Sequence, residues 1–313
     1  MRELNSNYFN SIKVFESSDK NVMKFVFEKN ADWIDTRCER KNKTIIAEAV
    51  LYKYPTYEDR TVICCSVQSG CPVGCSFCGT GKFFIRNLTV SEIEMQVVEI
   101  INYIKVDTNN IKKFQIMFMS MGEPMLNVDN LTEAIKNLNY RYNNAQLLIS
   151  TSAPANSYKE ISKIIDVSKK IDKVGLQFSV HESTDEARKR LIPTETSTLR
   201  QISALGELWA SYSERKPFFN YCVHEGNNTV FDAKTLASIL DPNVWEVTLS
   251  VICEKDESVK NSIERQLKMI HEFEKHMLSQ GFSIRVFNPA GQDDIGGGCG
   301  QLWYFQEWLK KRN

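Results

Sequence analysis

From residue 61 onward, short apolar runs alternate with longer stretches in which apolar positions recur at helical spacing. The runs at 61–67, 114–120, 146–150, 174–180, 218–223, 244–252 and 282–287 are rich in Val, Ile, Phe and Leu and predict strands. Helices are predicted between them, near 130–138, 158–167, 199–212, 233–240 and 262–279, with a last amphipathic helix after Gln301. Another opens at the TVSE of residues 89–92, where Thr89 and Glu92 fit a capping box. Regular alternation of strand and helix implies parallel strands with helices outside. Roughly six such units make a partial (β/α)6 barrel of the α/β class rather than a closed eight-fold one. Sites in such folds gather at the C-terminal ends of the strands.

Residues 1–60 carry a different pattern. Segments 21–28 and 44–53 predict two strands joined by a polar, charged turn. They are expected to form a small β extension packed on the barrel of residues 61–313. No linker rich in Pro, Gly or Ser separates the two parts.

Composition narrows the class. Hydrophobic residues make up 42% and charged residues 25%, the balance of an ordinary globule. No apolar run approaches the roughly 18 residues that cross a bilayer, and the first residues are polar, without the apolar core of a signal peptide. A cytoplasmic, non-membrane protein is expected. The 39 basic and 39 acidic residues cancel, which disfavours a broad grip on naked nucleic acid. Two local basic groups remain: Lys159, Lys163, Lys169, Lys170 and Lys173, read as a solvated helix face, and Arg188, Lys189 and Arg190.

The run CPVGCSFC at 71–78 carries the strongest chemistry. Three cysteines with a three-residue and then a two-residue gap suit one short loop around a cubane iron–sulfur cluster. Cys71, Cys75 and Cys78 would ligate three irons and leave the fourth open. S-adenosylmethionine (SAM) is the expected ligand for the open iron. A structural zinc site would want a fourth Cys or His nearby, and the next downstream His is His181. Nine cysteines is an odd number with no secretory leader before them, which disfavours a disulfide framework.

Other candidates fall at predicted strand ends. Gly122 and Glu123 lie in MGEP, where Gly admits a ligand close to the backbone and a carboxylate suits the ammonium of SAM. Ser150 ends the next strand, and Ser179, Val180 and His181 the one after; hydroxyls and an imidazole there suit ribose or carboxylate recognition. Cys299 sits in GGGCG, flexible backbone that follows the last predicted strand and returns to the same rim. Cys64 and Cys65 cannot both face the cavity, because strand side chains alternate.

Together these segments resemble the RlmN and Cfr family of radical-SAM RNA methyltransferases. The resemblance rests on CCSVQSGCPVGCSFC (64–78), RNLTVSEI (86–93), MSMGEPMLN (119–127), LIST at 148–151 with Ser152, SVH (179–181) and DDIGGGCGQL (293–302). It implies a radical-SAM barrel holding a 4Fe–4S cluster, with two SAM molecules used per turnover. Cys299 would take a methyl group from the first. The second would yield a 5′-deoxyadenosyl radical, which removes hydrogen from that methyl so that the carbon adds to adenine carbon 2 or, in the Cfr manner, carbon 8. Cys64, the matching thiol, would release the adduct by forming a disulfide with Cys299. Glu48 resembles the family's proton acceptor, after a three-residue insertion before Cys64. Spacing to the cluster loop selects Cys64 over Cys65 as the working thiol. The resemblance further implies an RNA substrate, in rRNA or tRNA, an external electron donor such as flavodoxin or ferredoxin, and a monomer.

The chain also departs from the family. Residues 1–43 are expected to lack its N-terminal RNA-binding accessory domain. Cys253 stands where the family places a SAM-contacting Asn, 254–258 replace a Pro-rich stretch, and 288–292 replace basic residues. These losses touch the grip on substrate. Two alternatives follow: a methyltransferase for a non-ribosomal or non-RNA acceptor, and a non-catalytic iron–sulfur sensor, which would not need Cys299.

Overall fold

A computed structural model describes residues 2–30, 44–155, 157–251, 259–287, 295, 296 and 302. In chain order the strands are β1 (Arg2–Leu4), β2 (Ser11–Glu16), β3 (Val22–Asn30), β4 (Thr44–Lys53), β5 (Arg60–Cys65), β6 (Gln68–Gly70), β7 (Phe84–Asn87), β8 (Lys113–Phe118), β9 (Gln146–Thr151), β10 (Val174–Ser179), β11 (Phe218–Val223), β12 (Glu246–Val251) and β13 (Ser283–Phe287). The helices are α1 (Val90–Ile104), α2 (Val128–Arg141), α3 (Tyr158–Ser168), α4 (Asp185–Leu191), α5 (Leu199–Ser213), α6 (Val230–Ile239) and α7 (Val259–Ser279).

Among the described residues, eleven strands form one sheet in the order β1-β2-β3-β4-β5-β8-β9-β10-β11-β12-β13. From β5 to β13 neighbouring strands run parallel, joined by helical crossovers. This is the expected open α/β barrel. Residues 1–60 differ from expectation in two ways. Among the described residues they contribute four strands rather than two, and these continue the barrel sheet edge-on, antiparallel, through the β4–β5 pairing. The physical reason is that β5 would otherwise leave a row of unpaired backbone groups on its free edge. The alternation in SIKVFE, with Ile12 and Val14 buried, is the period-two signal for β2.

Cross-strand partners project to the same face, so the register sorts the sheet into two surfaces. One face carries Ile63, Ile116, Leu147, Leu176, Phe219 and Val247, buried in the main core beneath the helices. Glycine is required where this layer is tightest: a Cβ on Gly206 of α5 would meet the Trp245 ring at 1.9 Å. The other face lines the inside of the open barrel. Lys24 pairs with Val50, Val50 with Cys64, Cys64 with Met117 and Met117 with Leu148. Further along, Ser150 pairs with Gln177, and Ser179 with Asn220. These inner-face residues are mostly half-buried, as a cavity lining should be.

The helices start where their sequences dictate. Thr89 with Glu92, Thr198 with Gln201 and Thr229 with Asp232 all form reciprocal capping boxes, each satisfying two backbone donors. Helix α4 was not anticipated, because DEARKRL has no apolar stripe. Its signal was Thr184 before two acidic residues: Thr184 Oγ1 accepts from the Ala187 amide.

Candidate functional site

The cysteine loop leaves β5 at the C-terminal end of the parallel sheet. Its start is fixed by the Val67 and Gln68 amides, which donate to the Met121 carbonyl. Within it, Cys71 N donates to Phe83 O at 2.8 Å and Cys78 N to Cys75 O at 3.0 Å. Gly74 has φ +71, and a Cβ on Gly81 would meet Gly74 Cα at 2.7 Å, so the loop folds back across itself at two glycines. Cys71, Cys75 and Cys78 are free and half-buried. Burial pushes the Cys71 thiol up to about 12, opposed by the Val73 amide and reinforced by Cys78 and Glu123. Burial raises Cys75 likewise, with Cys78, Cys71 and Glu123 adding to the rise. Three soft donors lie beside the Glu123 carboxylate, with Arg188 the cation coupled to Cys75 and Glu123, and soft thiolate donors suit the irons of a cubane. Among the described residues, no three His, Cys, Asp or Glu side chains stand close enough to share one metal ion. The cysteines of a cubane sit on separate irons and need no such approach. The donor set therefore fits the cluster.

Gly122 follows β8 with φ +99, and a Cβ there would meet Gln68 Cβ at 2.6 Å. The Glu123 carboxylate is buried and already accepts from Thr151 Oγ1 (2.5 Å), Ser152 N (2.8 Å), Ser152 Oγ (2.7 Å) and Met125 N (3.0 Å). Four donors fill the acceptor sites of a carboxylate. Its direct hydrogen bonds therefore knit the ends of β8 and β9 together, and its negative charge acts on the rim at a distance. Burial still raises its pKa, against those hydrogen bonds.

Ser150 faces the barrel interior and accepts from Gln177 Nε2 at 3.2 Å. Ser179 ends β10 on the same face. The Val180 and His181 amides both donate to Asn220 O. His181 is buried with φ +63; its Nδ1 accepts from the Cys222 amide at 3.3 Å, and its ring meets Phe77 of the cysteine loop edge-on at 5.5 Å. Burial, then Arg188 and His224, pulls its pKa from 6.5 down to about 3. The folded chain thus keeps His181 neutral while the unfolded chain protonates it first. That contribution is complete above pH 6.5 and lost as pH falls towards 3, by up to about 1.4 kcal/mol per pH unit. His181→Gln is expected to flatten the fall in stability between pH 6.5 and 5, as read by urea denaturation at stepped pH.

Cys64 and Glu48 lie on the inner face. Cys65 points the other way into the main core, as alternation requires. Cys64 is a free thiol, pushed up to about 12 by burial, with its Sγ 3.9 Å from Met117 Sδ. Glu48 lies two residues from Val50, the direct partner of Cys64, and so shares its face. Cys64 packs against a small apolar cluster of Val22, Val50, Tyr52, Val62, Met121, Ile295 and Leu302. Cys299 and Cys253 lie outside the described residues, as does the helix predicted after Gln301. No disulfide links the cysteines among the described residues.

Arg188 is the residue that sequence reasoning misplaced. Grouped there with a basic patch, it is 2% exposed and points inward. Its guanidinium donates to Ser152 O, Ser179 O, Ser197 O and Thr196 Oγ1. The segment it belongs to also straps the cysteine loop: Ser76 N donates to Leu191 O, and Thr194 Oγ1 to Val73 O. One buried cation thus fixes the ends of β9 and β10 against the element that holds the loop.

A sequence model of the Radical SAM superfamily matches residues 65–208. The probable dual-specificity RNA methyltransferase RlmN of Deinococcus deserti is 29% identical over 257 residues, 80% of this chain and 72% of its own. Its namesake from Pseudothermotoga lettingae is 31% identical over 251 residues, 79% of this chain and 69% of its own. Across the first such relatives the chain spans 65% to 72% of their length. The crystal structure of a radical SAM methyltransferase from Sphaerobacter thermophilus superposes with a TM-score of 0.73 at 25% identity, over 94% of this chain and 81% of that one. No helix among the described residues is long and apolar enough to cross a membrane.

Proposed function

The chain belongs to the RlmN family of radical SAM methyltransferases, and on that premise we propose that it methylates a ring carbon of adenine in RNA, carbon 2 in preference to carbon 8. Family membership brings a 4Fe–4S cluster and SAM as cofactors, and the cysteine loop fits the cluster. Cys71, Cys75 and Cys78 hold it, and the strand ends at Gly122, Glu123, Ser150, Ser179, Val180 and His181 form the SAM rim, with Cys253 completing it.

When bound, the cluster supplies the electron that splits SAM into methionine and a 5′-deoxyadenosyl radical. Before that, Cys299 displaces a methyl group from a first SAM, its sulfur gaining the carbon as S-adenosylhomocysteine leaves. Transfer of a hydrogen atom from the Cys299 methyl to the 5′-deoxyadenosyl radical, which becomes 5′-deoxyadenosine, leaves a carbon radical that adds to the base. Glu48 accepts the proton of the attacked ring carbon, the bonding pair stays with the ring, and the one surplus electron would be taken up by the oxidised cluster. Cys64, as thiolate, then attacks the Cys299 sulfur: the S–S bond forms, the S–CH2 bond breaks towards carbon, and that carbon takes a proton to become the methyl group. An external reductant restores both thiols. This order suits the chemistry, because an electron-poor sp² carbon cannot be methylated by ordinary displacement.

The observation that carries the reading is that the small apolar cluster Cys64 packs against also contains Ile295 and Leu302. These two residues bracket Cys299 by four and three positions, tethers that reach at most roughly 14 Å and 11 Å. A thiol working with Cys64 requires such a tether. The partners implied are RNA and an external donor such as flavodoxin or ferredoxin, with the enzyme acting as a monomer. Mapping methylated adenines in RNA from cells with and without the gene tests the acceptor. A carbon-2 methyladenine present only with the gene is expected; identical maps overturn RNA as the acceptor.

A further inference from the structure

We propose that Arg188 is a positioning residue for the electron: its guanidinium is a counter-charge to the iron–sulfur cluster and favours the reduced state. The inference rests on the reading of Cys71, Cys75 and Cys78 as the cluster ligands and adds a residue to it.

Arg188 is buried, and its acceptors are the carbonyls of Ser152, Ser179 and Ser197 and the hydroxyl of Thr196. Its remaining donor, Nε, is buried without an acceptor. Among the described residues no carboxylate is hydrogen-bonded or ion-paired with it. Carbonyls and a hydroxyl satisfy the N–H groups but leave the charge whole. A buried charge without a partner of opposite sign is costly, so this one calls for an anion nearby.

The neighbouring charges are held elsewhere or lie in solvent. Glu123, beyond β8, meets Arg188 only through Ser152, whose carbonyl accepts from Arg188 while its amide and hydroxyl donate to Glu123. Asp185, three positions before it on α4, is exposed and accepts from the Leu199 amide. Glu182, after β10, bonds the His224 ring at 2.8 Å. His181 is kept neutral by burial, with its pKa at about 3. Lys189 and Arg190, next along α4, are exposed, where water and salt screen them. Burial lowers the Arg188 pKa to about 10, opposed by Asp185, Cys75 and Glu123, so it remains a cation at neutral pH.

The position suits a counter-charge. The helix that carries Arg188 touches the cysteine loop, where Ser76, the residue after Cys75, donates its amide to Leu191 O at 2.9 Å. Three thiolates make a loaded cluster a net anion, and reduction adds one more negative charge. A buried cation beside it stabilises the reduced state more than the oxidised one, because solvent does not screen the pair. The balance is simple: a donor of the flavodoxin or ferredoxin kind loses one electron, and the cluster gains it.

The test uses the full-length chain with its cluster reconstituted anaerobically and no RNA present. Electron paramagnetic resonance during a mediated redox titration reads the midpoint potential. Arg188→Gln is expected to make the cluster about tenfold harder to reduce, a fall of about 59 mV for a one-electron couple. Arg188→Lys keeps the charge and loses the planar fork, and its midpoint should stay close to wild type. Thr194→Val removes the hydrogen bond to Val73 O without changing charge, and it should leave the midpoint in place. A wild-type midpoint in Arg188→Gln overturns the proposal. So does a fall in Arg188→Lys or Thr194→Val as large as that in Arg188→Gln, since the hold on the loop, not the charge, would then set the potential. If Arg188→Gln loads no cluster, the lysine variant decides: a wild-type midpoint supports the proposal, and a tenfold change overturns it. Wild-type protein that loads no cluster overturns the cofactor reading and this proposal together, whereas an unmoved midpoint overturns this proposal alone.

Discussion

Replacing Cys299 by alanine is expected to abolish methyl transfer to RNA while reductive cleavage of SAM continues. In the proposed mechanism the thiol is where carbon from SAM becomes attached to the protein, and neither described cysteine of β5 is placed to stand in for it. Cys64 is a protonated thiol at about 12 in its resting environment, and Cys65 is turned into the main core. Removing a residue that acts covalently costs on the order of 10⁶-fold in well-studied enzymes, so only background is expected for transfer of labelled methyl from SAM to RNA. Retained transfer would show that the methyl travels without Cys299. The sensor alternative makes the opposite prediction, since a cluster-based sensor would keep its function in this variant.

The other large effect is expected at the cluster. Changing any one of Cys71, Cys75 or Cys78 to alanine should drop iron from about four per chain to a trace after anaerobic reconstitution and end SAM cleavage. The loop offers no replacement ligand. Among the described residues, Glu123 is the carboxylate electrostatically coupled to Cys71 and Cys75, and four protein donors already occupy it. Arg188 and the Ser76 and Thr194 hydrogen bonds hold the loop in place without touching its sulfurs. Iron content and the visible absorption of the reconstituted protein decide the matter. Wild-type protein that holds zinc and no iron would remove the basis for radical chemistry.

Much of this was legible in the sequence because the signals are local. The apolar runs that became β5 and β8–β12 are buried on at least one face and so keep their Val, Ile and Phe content. The Thr89 and Glu92 box announced α1 through two side chains three residues apart. The cysteine spacing is local too. The features that escaped are fixed by distant partners. β1 and β2 exist because β3 and β4 extend the edge of β5, and only Ile12 and Val14 hinted at it. Arg188 reads as a surface cation in a polar heptapeptide, yet carbonyls from Ser152 and Ser179, 36 and 9 residues away, draw it inward. Lys24 reads as one polar residue in an apolar strand, and only the register shows it paired with Val50 and buried 3.8 Å from Glu48. Glu123 shows the converse. Its motif was recognised, but whether its oxygens are free depends on Thr151 and Ser152, a strand away.

The central claim is a methyl-carrying thiol that works with Cys64 at the cluster-bearing end of the barrel. The most direct test is the mass of the proteolytic peptide containing Cys299, taken from protein made in cells and again after incubation with SAM. A gain of one methyl group on Cys299, lost in Cys299→Ala, is the predicted result. An unmodified Cys299 peptide under both conditions, from protein that nevertheless methylates RNA, would contradict it.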